Sequence, residues 1–307
     1  MRKDHFPSPL SPLAEAFGES RGTVRDLSRK LFGQTLENAR ARLPQPSQFG
    51  AALGHRRMLK KLAPQVASGY TLSFARGEGE VLEAQRLRYK VFADEMGASL
   101  PRAVDAEGRP IDRDMFDKYC DHLIVRDNST QQVIGTYRIL PPHAAKKIGC
   151  YYSESEFFLT RLLPLRHNLV ELGRSCVHQD YRNGAVIMLL WKGIAGYMKA
   201  GGYEHLIGCA SISMRDGGHT AASLWKKLEG GLAPAEYHVF PRLPLPVEKL
   251  DATLDVEAPP LVKGYLRVGA EICGTPAWDP DFNSADFLML MSLSKMNPRY
   301  RKHFFGD

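Results

Sequence analysis

Glu171 lies in the apolar run Leu169-Val-Glu-Leu-Gly-Arg-Ser-Cys-Val177, three residues ahead of Arg174. A carboxyl group buried in such a run has its pKa raised toward neutrality, where a general base works best. The alternative is an ion pair of Glu171 with Arg174 or Arg88. After Val177 come His-Gln-Asp-Tyr-Arg182-Asn183-Gly184-Ala185, and then Val186, Ile187, Leu189, Leu190, Ile194 and Tyr197 recur at helical spacing. The spacing predicts a buried strand ending near Val177 and a helix starting near Gly184. A strand that feeds a helix through a short polar turn aims free backbone N–H groups and the positive end of a helix dipole at one spot, which suits a phosphate. Plain solvation of Arg182 competes with that assignment. Cys176 lacks a partnered base, since His178 follows two residues on, and reads as a small buried thiol rather than a nucleophile.

The elements that must position these groups follow in order. An interrupted apolar stripe from Leu13 to Phe32 carries Arg21, Arg25, Arg29 and Lys30 beside it, and a short basic helix is predicted from Phe49 to Leu62. Tyr70, Leu72 and Phe74 alternate as a strand. Val81 to Met96 reads as a helix, with Leu82, Gln85, Tyr89 and Phe92 on one face and Arg86 and Arg88 leaving in other directions. Residues 97–118 form a long, Asp-rich loop of the kind that is functional or mobile. His122–Asp127 and Val133–Leu140 form a hairpin. His122 and Asp127 fit an H-x-x-x-x-D spacing, but strand residues five apart face opposite ways, so that motif is discarded. Ser153–Leu163 is predicted as a short helix, Glu204–Ser211 as a strand and Thr220–Leu228 as a helix. Residues 233–260, rich in proline, are expected to wander over the surface. Leu261–Ile272 is predicted as a strand and Ala285–Met296 as a final helix. Alternating strands and helices with an antiparallel start imply an α/β or α+β layered fold.

The 307 residues are 44% apolar, enough to bury one sizeable core or two modest ones. No apolar run approaches the roughly 18 residues that span a bilayer, and the N-terminus lacks a signal peptide's apolar core. A cytoplasmic protein is expected. The five cysteines stand apart with no C-x-x-C, which argues against structural zinc; metal chemistry is not expected. Residues 1–70 carry 12 Lys plus Arg against 5 Asp plus Glu, a surplus equal to the net charge of +7 of the whole chain. A basic leader on a neutral body suits an anionic membrane surface or an acidic carrier protein. No motif or interleaved aromatics accompany the charge, so nucleic acid is not expected as a partner.

Val177-x-x-x-Tyr181-Arg182-x-Gly184-Ala185 resembles the pantetheine and pyrophosphate loop of GNAT-type N-acyltransferases. Leu87-Arg88-Tyr-Lys-Val-Phe92, Asp117 to His122, Gly135-Thr-Tyr-Arg138-Ile-Leu140 and Glu171-Leu-Gly-Arg174 occur in the order seen in the branch that includes acyl-homoserine-lactone synthases. Gly269-Ala-Glu-Ile-Cys-Gly274-Thr-Pro-Ala-Trp-Asp279-Pro-Asp-Phe282 and Ala285-Asp286-Phe287 are similar to the ornithine-lipid N-acyltransferases, often labelled haemolysin-like. The resemblance covers about residues 70–303. It implies a GNAT-like domain over 70–307, a mixed central sheet flanked by helices, behind a basic helical extension over 1–69.

The same resemblance implies direct acyl transfer in a ternary complex, with no permanently bound cofactor. The 4′-phosphopantetheine of acyl carrier protein would be the donor arm and ornithine the acceptor, with contact at the anionic inner membrane. Glu171 and Arg174 would be catalytic. Backbone groups of Cys176 and Val177 would bind the thioester or pantetheine, and Arg182, Asn183, Gly184 and Ala185 its phosphate. Arg88, Phe92 and Arg138 would meet the substrate, the arginines gripping its carboxylate, while Asp117 and Asp121 take its ammonium charge. Alternatively these four charged residues only clamp one another and fix the loop. The product would be the lyso form of an ornithine lipid, carrying a 3-hydroxyacyl chain. Two other readings are an acyl-homoserine-lactone-type synthase and a non-enzymatic, membrane-active protein.

Overall fold

The computed structural model describes residues 46–306; the apolar stripe from Leu13 to Phe32 lies outside that range. The first half runs α1 (Pro46–Lys61), β1 (Gln65–Ala67), β2 (Tyr70–Phe74), α2 (Glu78–Tyr89), β3 (Asp121–Asp127), β4 (Val133–Leu140), α3 (Pro142–Ile148), β5 (Phe157–Phe158) and β6 (Leu169–Val177). The second half runs α4 (Ala185–Gly201), β7 (His205–Ser213), α5 (His219–Leu228), β8 (Phe240–Pro241), α6 (Pro260–Val268), β9 (Glu271–Ile272), β10 (Ala277–Asp279), β11 (Ser284–Ser292) and α7 (Pro298–Phe305). The main sheet has the order β1-β2-β3-β4-β6-β7-β11-β10, with β9 also on β11. Its pairings are antiparallel except that of β6 with β7. This is the expected layered, mixed-sheet architecture.

A parallel pair needs a crossover, and α4 supplies it. Its stripe of Val186, Leu189, Leu190, Ile194 and Tyr197 packs with Leu72, Leu123, Ile139 and Val170 in one core cluster. The helix lies close to the sheet because two contact points lack a side chain. A Cβ on Gly193 would come 2.8 Å from Leu72, and one on Gly135 2.5 Å from Val186. The parallel ladder itself is short. It pairs Leu169 with His205, Val170 with Leu206 and Glu171 with Ile207, and there it stops. Beyond that point the two strands part. Gly208 sits at the fork, where a Cβ would meet the Leu172 carbonyl oxygen at 2.5 Å.

α2 runs on into a π-helical turn, Lys90–Glu95, so the predicted helix over 81–96 is one rod with a change of winding. Its buried face is Ala84, Gln85, Leu87, Arg88 and Val91. Arg88 therefore points into the protein, contrary to the expectation that it leaves the helix face. The long loop after α2 is held by charge. Arg88 binds Asp112 at 2.7 Å and Asp117 at 2.7 Å, all three buried. Asp105 receives Arg86 at 2.6 Å and Arg109 at 2.8 Å.

Several predicted elements change type. The stretch over 261–272 is not a strand: Pro260 opens α6, Gly269 closes it with φ of 103°, and only Glu271–Ile272 pair with β11. Proline at the first helical turn and glycine after the last are the usual helix brackets. Nor is 285–296 a helix. Its Phe-Leu-Met-Leu-Met run suits a helix by propensity, but as β11 it lies between β7 and β10 and is buried on both faces. The last helix is α7, which begins at Pro298. Ser153–Leu163 breaks into 3-10 turns around β5. The segment over 233–260 does not simply wander, since Ala233, Val239, Leu245 and Leu250 are buried.

Two stability outcomes follow from these contacts. Gly208→Ala forces backbone apart at the fork and should cost about 1–3 kcal/mol in urea unfolding; an unchanged midpoint would show that the strands can separate freely there. Arg88→Met removes the shortest ion-pair partner of both Asp112 and Asp117 and leaves each a longer contact, to Arg174 and Arg138, and should cost about 3–5 kcal/mol. A loss below 1 kcal/mol would mean that the loop is held by something else.

Candidate active site

The fork opens into a cavity of about 880 Å³. Glu171 lies on its wall at the last position where β6 pairs with β7, 4% exposed. It makes no ion pair among the described residues, so the alternative of a bond to Arg174 or Arg88 is not realised. Instead its carboxylate accepts from Tyr152 N–H at 2.6 Å, Ser153 N–H at 2.7 Å and the Ser153 hydroxyl at 2.6 Å. A carboxylate offers about four acceptor positions, so three donors leave one for an incoming group. Burial raises the Glu171 pKa above its ordinary value, and the three donors and the charge of Arg138 oppose that rise without cancelling it.

Arg174 is set by a bulge. Between the pairs Arg138–Gly173 and Thr136–Cys176, the single residue Tyr137 of β4 faces Arg174 and Ser175 of β6. Arg174 takes φ of 51°, a left-handed conformation that a side chain disfavours and that clusters at functional sites. The bulge turns its guanidinium over the rings of Tyr152 and Phe282, at 4.7 and 4.4 Å. Asp112 and Asp114 receive it at 3.2 and 3.3 Å. Arg138 also lines the cavity and gives one N–H group to Asp114 at 2.6 Å.

Phe92, Arg138, Glu171, Arg174, Cys176, Val177, Arg182 and Gly184 all line this one cavity. Five other predicted site residues do not. Arg88 and Asp117 are locked to each other, as in the alternative of a loop-fixing clamp. Asp121 lies on a different face, with His55 Nε2 at 2.6 Å and the Tyr197 hydroxyl donating at 2.8 Å. Asn183 turns back to accept the Ala185 N–H at 3.1 Å, so its carboxamide caps α4. Ala185 stands behind it as the first residue of the helix. Arg182 pairs with Glu95 and donates to the Val177 carbonyl at 3.0 Å. Cys176 is buried, and burial raises its thiol pKa, as expected of an inert cysteine.

Sequence reasoning missed the turn at Tyr152 and Ser153, because a segment read as a helix hides a pair of N–H donors. It also missed Asp112 and Asp114, which were visible only as part of an acidic loop. Asp279 and Asp286 were quoted for their resemblance and given no role, yet both line the cavity.

Residues 87–192 match the acetyltransferase (GNAT) domain family. The chain is 36% identical over 251 residues to an L-ornithine N(alpha)-acyltransferase of Agrobacterium fabrum, covering 76% of this chain and 84% of that protein. It is 35% identical to the protein of the same name from Rhodobacter capsulatus, covering 76% and 94%. Among solved structures, an N-acyl amino acid synthase from uncultured soil microbes, FeeM, aligns with 76% of this chain and 95% of its own at a TM-score of 0.45 and 11% identity. The chain belongs to the L-ornithine N(alpha)-acyltransferase family, with a GNAT-type fold.

Proposed function

We propose that this enzyme moves a 3-hydroxyacyl group from the phosphopantetheine thioester of acyl carrier protein to the α-amine of L-ornithine, giving a lyso-ornithine lipid. The observation that carries the proposal is Glu171, buried without a counter-cation on the wall of a cavity that opens where two strands part. The activity for which the relatives are named supports the acceptor. It also favours this reaction over lactone synthesis, which would consume S-adenosylmethionine and release methylthioadenosine.

The cavity suits three substrate parts. Unpaired main-chain groups on the edge of β6 beyond Glu171 would hydrogen-bond the pantetheine amides, with Arg182 and the N-terminus of α4 near its phosphate. Met198, Leu206, Met289, Met291, Tyr300 and Phe304 give the cavity an apolar lobe for the acyl chain, at roughly 0.8 kcal/mol per buried methylene. Arg138 and Arg174 would face the acceptor's α-carboxylate. Glu171 takes a proton from the α-ammonium. The freed nitrogen pair then attacks the thioester carbon, the C–N bond forms, the C–S bond breaks, and the leaving thiolate takes up a proton.

The outward face of α1 carries exposed Arg56, Arg57, Lys60 and Lys61, while Met58, Leu59 and Leu62 pack inward. Among the described residues no helix is long and apolar enough to cross a membrane. That basic face would dock the enzyme on an anionic lipid surface, where an amphiphilic product must leave.

Purified enzyme given L-ornithine and a 3-hydroxyacyl carrier-protein thioester should yield N-acyl-ornithine by mass spectrometry; methylthioadenosine release with S-adenosylmethionine present would overturn the assignment. Glu171→Gln should lower kcat about 10²- to 10⁴-fold, and full turnover would remove Glu171 as the base. The raised pKa sets a sign: the group is protonated and inactive as a base below it, so kcat should climb with pH across that interval. That climb should be missing from any residual activity of Glu171→Gln. Arg138→Met should raise KM for the amino acid more than it lowers kcat; an unchanged KM would place the carboxylate elsewhere.

A further inference from the structure

Ornithine carries a second ammonium, and the residues expected to receive it are taken: Asp117 by Arg88, Asp121 by His55 and Tyr197. Three other carboxylates cluster at the cavity, two of them, Asp279 and Asp286, on its wall. Asp286 of β11 is 3% exposed, Asp279 of β10 8% and Glu156, just before β5, 9%. Among the described residues none of the three forms an ion pair, and Glu156 has no partner outside the cluster, only the neighbouring Asp286 carboxyl and Cys209 thiol. Polar atoms of Glu156, Asp286 and Cys209 lie within 4.8 Å of one another, and Asp279, Asp286 and Cys209 line the cavity. Burial and mutual repulsion push the Asp279 carboxyl up to about 7 and that of Glu156 well above its ordinary value. Buried carboxylates crowded in this way demand either a proton or a positive ligand.

The cluster is also at the right place. The Ser153 hydroxyl donates to Glu171 at 2.6 Å and lies 3.5 Å from Cys209 Sγ, so one small residue separates the base from the acidic group. An acceptor with its α-nitrogen at Glu171 could reach the cluster through a short aliphatic chain. We propose that Glu156, Asp279 and Asp286 form a subsite for the side-chain ammonium of the acceptor, selecting a diamino acid over a neutral amino acid of the same skeleton. This rests on the N-acyltransferase reading above. An ammonium fits the cluster better than a divalent metal ion. A metal would call on Cys209 as a thiolate, whereas burial and these same carboxylates hold that thiol well above its ordinary pKa.

The test compares L-ornithine with L-norvaline, which has the same five carbons and ends in a methyl group, using the full chain and one 3-hydroxyacyl thioester. Wild type should favour ornithine by about a hundredfold or more in kcat/KM, because a polar site built for a charged group rejects its apolar analogue. The near-isosteric Asp286→Asn and Glu156→Gln should each cut that ratio to below about tenfold; having two variants guards against one that misfolds. Ratios unchanged from wild type, or equal use of both acceptors by wild type, would overturn the subsite and leave N-acyl transfer standing. Acylation of neither amino acid would overturn the proposed function, and the subsite with it. Ornithine acylation lost on chelation and restored by a divalent ion would overturn it in favour of a metal.

Discussion

Two neighbouring strands that stop hydrogen-bonding while both continue leave rows of unpaired backbone amides facing a gap. In this protein that happens between β6 and β7 after the pair Glu171–Ile207, and the cavity and the place of Glu171 on its wall depend on it. Main-chain groups cannot stay unpaired in a dry interior without cost, so such a gap is stable only if water or a ligand fills it. The fork is held in place from both sides. α4 packs closely on β2, β3 and β4 through contacts at Gly193 and Gly135, and β11 anchors the whole length of β7. Gly208 lets the strands meet tightly just before they separate, so the opening is local.

Charge divides the surroundings of the cavity into two different regions. On one side Arg88, Arg138 and Arg174 share Asp112, Asp114 and Asp117. Those charges are matched, and the block serves first to pin the long loop over 97–118 against α2 and β6. On the other side Glu156, Asp279 and Asp286 have no matching cation among the described residues. Glu171 lies between these two regions, itself without an ion pair among the described residues. A zwitterionic acceptor with an extra ammonium would be oriented by that polarity, its carboxylate toward the arginines and its side chain toward the acids. Such pre-arranged charge acts before any chemistry and needs little movement of the protein.

The fold was legible in the sequence where periodicity and termini agreed. Val186 to Tyr197 has helical spacing bounded by Gly184 and Gly202, and it is a helix; the β3–β4 hairpin has two mainly apolar runs around a polar turn. It was misread where local preference and tertiary position disagree. The Leu- and Met-rich run of β11 has no β-branched residue to mark it as a strand, and only its two strand neighbours make it one. Residues 260–268 look strand-like through their apolar content, but their Leu-Val and Tyr-Leu pairs, spaced four apart after a proline, bury one face of a helix.

By itself the sequence determined the layered class of the fold, the strand-to-helix turn after Val177 and the burial of Glu171 and Cys176, because each follows from local pattern and residue chemistry. It could not determine which charged residues meet. Asp117, Asp121, Asp279 and Asp286 are equivalent as residue types, yet one is locked to Arg88, one turns to His55 and Tyr197, and two are left facing the cavity. Partners brought together from 30 to 130 residues apart decide those roles, and the energy of a buried charge depends on its partners far more than on its neighbours in the chain.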